Sequence, residues 1–257
     1  CTINEANIGE QIKKSIERRA EKNNDGDVQV GLNFHMGERK KEYTKELADS
    51  FKIDPLNVHV FLSPKSNLGE RVIMKCHQKA REIIKSISPE IQVGITFSLH
   101  DNQALPGGEK FVIKENNDEF LKYLPYIIED DFFGLQNYSR KIYDKNGHVA
   151  PDESTRKTKM GYEFYPEALG NCIRFVSKHW DKPIMVTENG ISTDDDKERI
   201  EFIETALKGI TNCLEENIKV IGYLHWSLLD NFEWQLGYEQ KFGLIEVNRS
   251  TQTRYPK

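Results

Sequence analysis

Cysteine is scarce in this chain, basic charge is not in excess, and no long apolar run occurs; each shortage removes a class of function. The four cysteines (Cys1, Cys76, Cys172, Cys213) lie far apart, without the spacing of a metal site or the density of a small secreted scaffold. Three of them fall among apolar helical residues, so buried thiols in a reducing, cytoplasmic setting are expected rather than disulfides. No apolar stretch approaches the ~20 residues of a membrane-spanning helix, so no membrane partner is expected. With Lys and Arg numbering 36 against 41 Asp and Glu, and the two signs interspersed, the chain lacks the electrostatic footprint of a nucleic-acid binder. Short basic clusters such as "ERKK" at 38–41 read as solvated helix faces. The seven histidines are scattered, with no helical pair at ligand spacing; no metal and no cofactor are expected. "LPGGE" at 105–109 lacks the phosphate-loop pattern and reads as a turn. Internal repeats and low-complexity tracts are absent. What remains, 257 residues with 37% hydrophobic and 30% charged, suits a soluble protein able to bury a substantial core.

Four short segments rich in branched and aromatic residues end in polar ones. "IQVGITFSL" (91–99), "DFFGLQNY" (131–138), "KPIMVTEN" (182–189) and "VIGYLHWSLL" (220–229) read as buried parallel strands. Between them run stripes of helical period. Ile8, Ile12, Ile16 and Ala20 form one, and Val72, Ile73, Cys76, Ala80, Ile83, Ile84 and Ile87 another. A third is Ile200, Ile203, Leu207, Ile210 and Leu214, and Pro166 stands at a first helical position ahead of Leu169, Ile173 and Val176. Alternating strand and helix predicts a parallel sheet covered by helices, either doubly wound or a (β/α)₈ barrel. Only the four strands and a stub ending at Glu5 are found. Residues 23–69 read as a long excursion between barrel elements of one domain over 1–257.

In a barrel the C-terminal ends of strands converge on one mouth, where catalysis occurs. The polar ends here are Asn4-Glu5, Ser98 to Asp101, Gln136 to Tyr138, Glu188-Asn189, and Trp226 with the following "SLLDNFEW"; His100 is expected to line the mouth. Glu5 and Glu188 each end a strand-like run, where an unpartnered carboxylate is costly. Two such groups suit acid and nucleophile work on a glycosidic bond. Trp226, Trp234 and Phe242 offer flat apolar faces to a sugar ring, and Asn4, Gln136 and Glu233 could bond its hydroxyls. "TDDDKER" at 193–199 reads as a helix start capped by Thr193 rather than a metal site. "NYS" at 137 and "NRS" at 248 match glycosylation acceptors, which a cytosolic chain would not use.

"TINEAN", "VTENG", "GYLHWSLLDNFEWQLGYEQKFGLIEV" and "TRYPK", with "DFFGLQNYSR" and "MGYEFYPEAL", resemble the signature segments of family 1 glycoside hydrolases, the β-glucosidase family. The similarity covers the chain except 23–69. It implies a (β/α)₈ TIM barrel and retaining hydrolysis of β-glycosides, of β-glucosidase or β-galactosidase type. By similarity Glu5, ending strand four, is the general acid and then base, and Glu188, ending strand seven, the nucleophile. Asn4 matches the position that bonds the sugar 2-hydroxyl, and Tyr138 the tyrosine that steadies the nucleophile. Trp226 matches the platform under the sugar, and Glu233 and Trp234 the groups that bond its outer hydroxyls. A carboxylate at Glu233 disfavours a 6-phosphate, so small unphosphorylated β-linked glycosides are the expected partners.

The sequence departs from the family pattern in Ala6, where proline follows the acid/base, and in Gln136-Asn137-Tyr138, where Asn-Tyr-Tyr is common. The family's first three βα units would precede Cys1. The expectation is therefore a partial barrel from a longer parent, inactive by itself. A competing expectation is a non-catalytic sugar-binding or interaction protein derived from the same fold.

Overall fold

Four parallel strands follow one another in both chain and space: β1 (Thr96–Ser98), β3 (Phe133–Gln136), β6 (Ile184–Asn189) and β7 (Val220–His225), in the order β1-β3-β6-β7. The computed structural model describes residues 45–55, 58 and 67–257. Asn4, Glu5, the stripe at Ile8 to Ala20 and most of 23–69 lie outside the described residues. By internal contacts the chain divides into Cys1–Arg71 and Val72–Lys257. In the first unit, residues 45–51 are helical.

The second unit holds the sheet. Each expected strand exists in part: β1 and β3 take up a short piece of their apolar runs, β6 runs to the expected end at Asn189, and β7 begins at the expected Val220. Branched and aromatic side chains on the two central strands, Phe133, Leu135, Ile184 and Val186, are fully or almost fully buried. They pack with Leu169, Ile173 and Val176 from α4 (Ala168–Ser177) and with Ala206, Ile210 and Cys213 from α5 (Asp196–Glu215). Phe120, Trp180, Met74, Leu99, Cys172 and Ile127, the last from the single turn of α3 (Leu124–Ile127), belong to the same cluster. The outer strands differ from the expected buried pattern: Ile221 and Leu224 of β7 are half exposed, since a terminal strand of a sheet is covered on fewer sides.

Two helical stripes face otherwise than expected. On α1 (Asn67–Ile87) the residues Val72, Ile73, Ile83, Ile84 and Ile87 are exposed. The inward side carries Met74 together with polar anchors: His77 reaches both Asp130 oxygens at 2.8 Å, and Gln78 donates to the Tyr126 carbonyl at 3.0 Å. On α5 the buried positions are Arg199, Phe202, Ala206, Ile210 and Cys213; Ile210 of the expected stripe is buried, while Ile200, Leu207 and Leu214 are exposed. Where Gly170 of α4 meets Gly209 of α5 the two backbones approach closely, and Cys213 Sγ donates to the Gly170 carbonyl at 3.5 Å.

Helix starts also shift. Asp195, not Thr193, caps α5, accepting from the Lys197 amide at 2.9 Å, while Thr193 Oγ1 accepts from the Asp195 amide at 3.1 Å. Pro166 stands in the turn before α4, its carbonyl accepting from the Leu169 amide at 3.4 Å. Beyond the ends of β1 and β3 a second sheet forms from β2 (Asp101–Ala104), β4 (Arg140–Asp144) and β5 (Gly147–Val149), in the order β2-β4-β5. It is braced by α2 (Glu109–Glu119), whose last residue Glu119 bonds His100 Nδ1 at 2.8 Å. His100 is thus turned to a helix carboxylate. A hairpin of β8 (Ile245–Val247) and β9 (Arg254–Pro256) follows. Among the described residues no helix is long and apolar enough to cross a membrane, and no group of three or more His, Cys, Asp or Glu is placed to hold a metal.

Candidate active site

The C-terminal ends of β3 and β6 meet side by side. Strand pairing sets Gln136 opposite Glu188, after a register shift that follows Leu135. Register alone therefore delivers two polar side chains to one place. Gln136 Nε2 donates to Glu188 Oε1 at 2.8 Å, and the Tyr138 hydroxyl donates to Oε2 at 2.6 Å. Both carboxylate oxygens are held, which fixes the direction of the group.

Burial raises the Glu188 pKa, and the Tyr138 hydrogen bond pulls it back. The Tyr138 hydroxyl is itself pushed well above its ordinary range, first by burial and then by the Glu188 charge. It stays a donor at any physiological pH.

Backbone around Glu188 is tied down on each side. The Asn137 amide donates to the Glu188 carbonyl at 3.1 Å, and Asn189 Nδ2 donates to the Asn137 carbonyl at 2.8 Å. Asn189 Oδ1 accepts from the Tyr223 hydroxyl at 3.1 Å. Gly190 comes so close to the Trp226 carbonyl that a Cβ would collide with it. The Asn-Gly pair after the glutamate is thus a packing requirement between β6 and the chain leaving β7.

That departing chain carries Trp226, Glu233, Trp234 and Phe242. Glu233 is buried, at 5% exposure; burial raises its pKa, the Glu188 charge adds to this, and a hydrogen bond from the Trp226 side chain opposes both. The Glu188 charge is therefore felt at Glu233. Phe242 is buried with its ring edge-on to Tyr138 at 6.1 Å, so it forms a wall behind the tyrosine. Trp234 is 44% exposed.

Of the residues singled out from sequence, Gln136, Tyr138, Glu188, Trp226, Glu233 and Phe242 are linked by these contacts. Trp234 adjoins Glu233 in the chain. Asn4 and Glu5 lie outside the described residues.

Three participants escaped sequence reasoning. Tyr162 stands 6.5 Å from the Tyr138 ring, and its hydroxyl is raised by burial and by the Glu233 charge; the only signal was its place in "MGYEFYPEAL". Arg199, almost fully buried, donates to the carbonyls of Ile191, Thr193 and Lys241 at 2.8–3.1 Å, binding the turn after β6 to the loop after β7. Its position inside an apparent capping segment hid it. His225 ends β7 beside these groups, and burial lowers its pKa to about 4, so it is neutral at physiological pH.

Comparison with known proteins places this arrangement. Residues 107–257 match the profile of glycosyl hydrolase family 1. A β-galactosidase of Sulfolobus acidocaldarius is 29% identical over 226 residues, 74% of this chain and 45% of that protein. β-Glucosidase A of Thermotoga maritima is 33% identical over 164 residues, 54% of this chain and 37% of that protein. The crystal structure of a β-glycosidase, BGL167, superposes with a TM-score of 0.78 at 38% identity, covering 89% of this chain and 55% of that one. The chain spans about half the length of these relatives or less. Its parallel sheet is a part of the (β/α)₈ barrel. With a profile match over more than half of its 257 residues, the chain belongs to glycosyl hydrolase family 1.

Proposed function

We propose that the whole protein hydrolyses short, unphosphorylated β-linked glycosides, of β-glucosidase or β-galactosidase type, with retention of anomeric configuration. The observation that carries this reading is the Glu188 carboxylate, gripped through both oxygens by Gln136 and Tyr138. A carboxylate so aimed is suited to in-line attack, whereas one that merely stabilises charge needs no such fixed direction.

In the first step a Glu188 oxygen attacks the anomeric carbon and the aglycone oxygen leaves, taking a proton from Glu5. In the second, Glu5 removes a proton from water, which displaces Glu188 and restores both groups. The two carboxyls must then stand roughly 5–5.5 Å apart. Tyr138 favours the ionised form of Glu188 through its hydrogen bond, so the nucleophile is charged when substrate arrives.

Recognition rests on Trp226 under the sugar ring, on Glu233 and Trp234 toward its outer hydroxyls, and on Asn4 toward the 2-hydroxyl. The buried Glu233 charge disfavours a second anion, hence the exclusion of 6-phosphates. The reading as cytoplasmic is supported by Cys172 and Cys213 being buried, unpaired thiols, whereas Cys76, expected to be buried, is exposed.

The test is hydrolysis of p-nitrophenyl β-glucoside and β-galactoside by the full protein, with the first-formed anomer followed by proton NMR. The β-anomer should appear first, and Glu188→Gln and Glu5→Gln should each abolish turnover. First appearance of the α-anomer, or sugar binding without turnover, ends this reading.

A further inference from the structure

The loop bearing Glu233 and Trp234 is closed at its base by residues that sequence reasoning gave no role. Its two stems pair through backbone: Ser227 N to Phe242 O at 3.2 Å, Leu244 N to Ser227 O at 2.9 Å, Ile245 N to Leu228 O at 2.9 Å and Asp230 N to Ile245 O at 3.0 Å. At this closure lies Asp230, a carboxylate only 2% exposed. Its Oδ1 accepts from the Gly243 amide and from Lys257 Nζ, each at 2.9 Å, and Lys241 Nζ stands 3.7 Å from Oδ2. Lys257 Nζ also donates to the Gly243 carbonyl at 2.9 Å, and its side chain is 12% exposed.

The β8–β9 hairpin supplies this lysine. Pairing of Ile245 with Pro256 brings Lys257 alongside the stem, where its amide donates to the Leu244 carbonyl at 3.0 Å. From the same hairpin Arg249 reaches the Asp230 carbonyl at 2.5 Å and lies 4.2 Å over the Tyr238 ring, which packs edge-on to Phe232, the neighbour of Glu233. Gly243 permits the closure, because a Cβ there would collide with the Asp230 amide.

We propose that Asp230 and Lys257 are positioning residues for sugar recognition: their ion pair locks the base of the loop so that Glu233 keeps its buried place. Only Asn231 and Phe232 lie between Asp230 and Glu233, too short a span to absorb a displaced stem. This rests on the sugar-site reading of Glu233 given above. A charge pair that served only stability would affect the protein equally whether residue 233 were charged or not.

The experiment is a double-mutant cycle in the full protein. The dissociation constant of 1-deoxynojirimycin, a glucose-shaped piperidine, is measured by calorimetry for wild type, Lys257→Met, Glu233→Gln and the pair. Thermal melts establish that each is folded, and p-nitrophenyl β-glucoside turnover is recorded alongside. Loss of a buried pair that acts through a neighbour should couple strongly, so Lys257→Met should weaken binding about tenfold with Glu233 present and less than about twofold in the Glu233→Gln background. Lys257→Arg should restore binding. Should Lys257→Met fail to fold, Asp230→Asn goes through the same cycle with the same expectation. Equal weakening in both backgrounds, or none in either, overturns the proposal, as does wild type that neither binds nor hydrolyses. Coupled binding without turnover upholds the loop lock while ending the hydrolase reading, and turnover with additive effects does the reverse.

Discussion

The Tyr138 hydroxyl sits 2.6 Å from Glu188 Oε2, two residues beyond the Gln136 whose amide holds the other oxygen at 2.8 Å. The short stretch of chain ending β3 thus sets both the aim and the charge of the strand-end glutamate.

Tyr138→Phe should lower kcat/KM by about tenfold to a hundredfold, the worth of a hydrogen bond to a charged group. The tyrosine favours the carboxylate form, so its loss raises the Glu188 pKa. The acidic limb of the pH–rate profile should move to higher pH. An unmoved limb would show that Tyr138 does not act on Glu188.

Glu188 and Glu233 both have pKa values raised chiefly by burial. A carboxyl with a raised folded-state pKa favours folding fully below its unfolded value, and that contribution is lost as pH rises through the folded value. At pH 7 both groups therefore work against stability. Glu188→Gln and Glu233→Gln should each raise Tm by a few degrees at pH 7 while removing function. The gain should vanish below about pH 4, where wild type is protonated too.

Glu119 shows the opposite sign. Burial pushes its pKa up, but His100, with both charge and hydrogen bonds, and Lys141 outweigh this and hold it at about 2. Its contribution is present above the ordinary carboxylate pKa and is lost as pH falls toward 2. Glu119→Gln should cost roughly 3 kcal/mol at neutral pH in denaturant melts, with the difference shrinking between about pH 4.5 and 2.

Gly190→Ala should be more damaging than its small volume suggests. The added methyl meets the backbone carbonyl of Trp226, which cannot rotate away as a side chain would. Turnover should fall with a loss of several degrees in Tm, and Gly190→Ser should fare no better.

Much of this is legible in the sequence, and the exceptions share a cause. The parallel strands and the strand-end glutamate are readable because a buried strand must be apolar in its middle and a polar group at its end must have a purpose. The stripes on α1 and α5 mislead because their large aliphatic residues imitate an inner face. The inner face of α1 instead holds Met74 with His77 and Gln78, and that of α5 keeps only Ile210 of the expected stripe beside Arg199, Phe202, Ala206 and Cys213. Tyr162, Arg199 and Asp230 escape notice because each acts through residues distant in sequence: Tyr138 and Glu233, the carbonyls on two loops, and the hairpin lysine. Neither period nor local spacing records such contacts.

Covalent capture tests the account most directly. Incubating the full protein with a 2-deoxy-2-fluoro β-glucoside carrying a dinitrophenolate leaving group should give one stoichiometric burst of dinitrophenolate. The protein mass should rise by one fluoroglucosyl unit, and peptide sequencing should place that unit on Glu188. A glycosyl unit on any other side chain, or rapid turnover of ordinary aryl glucosides with no adduct formed, contradicts it.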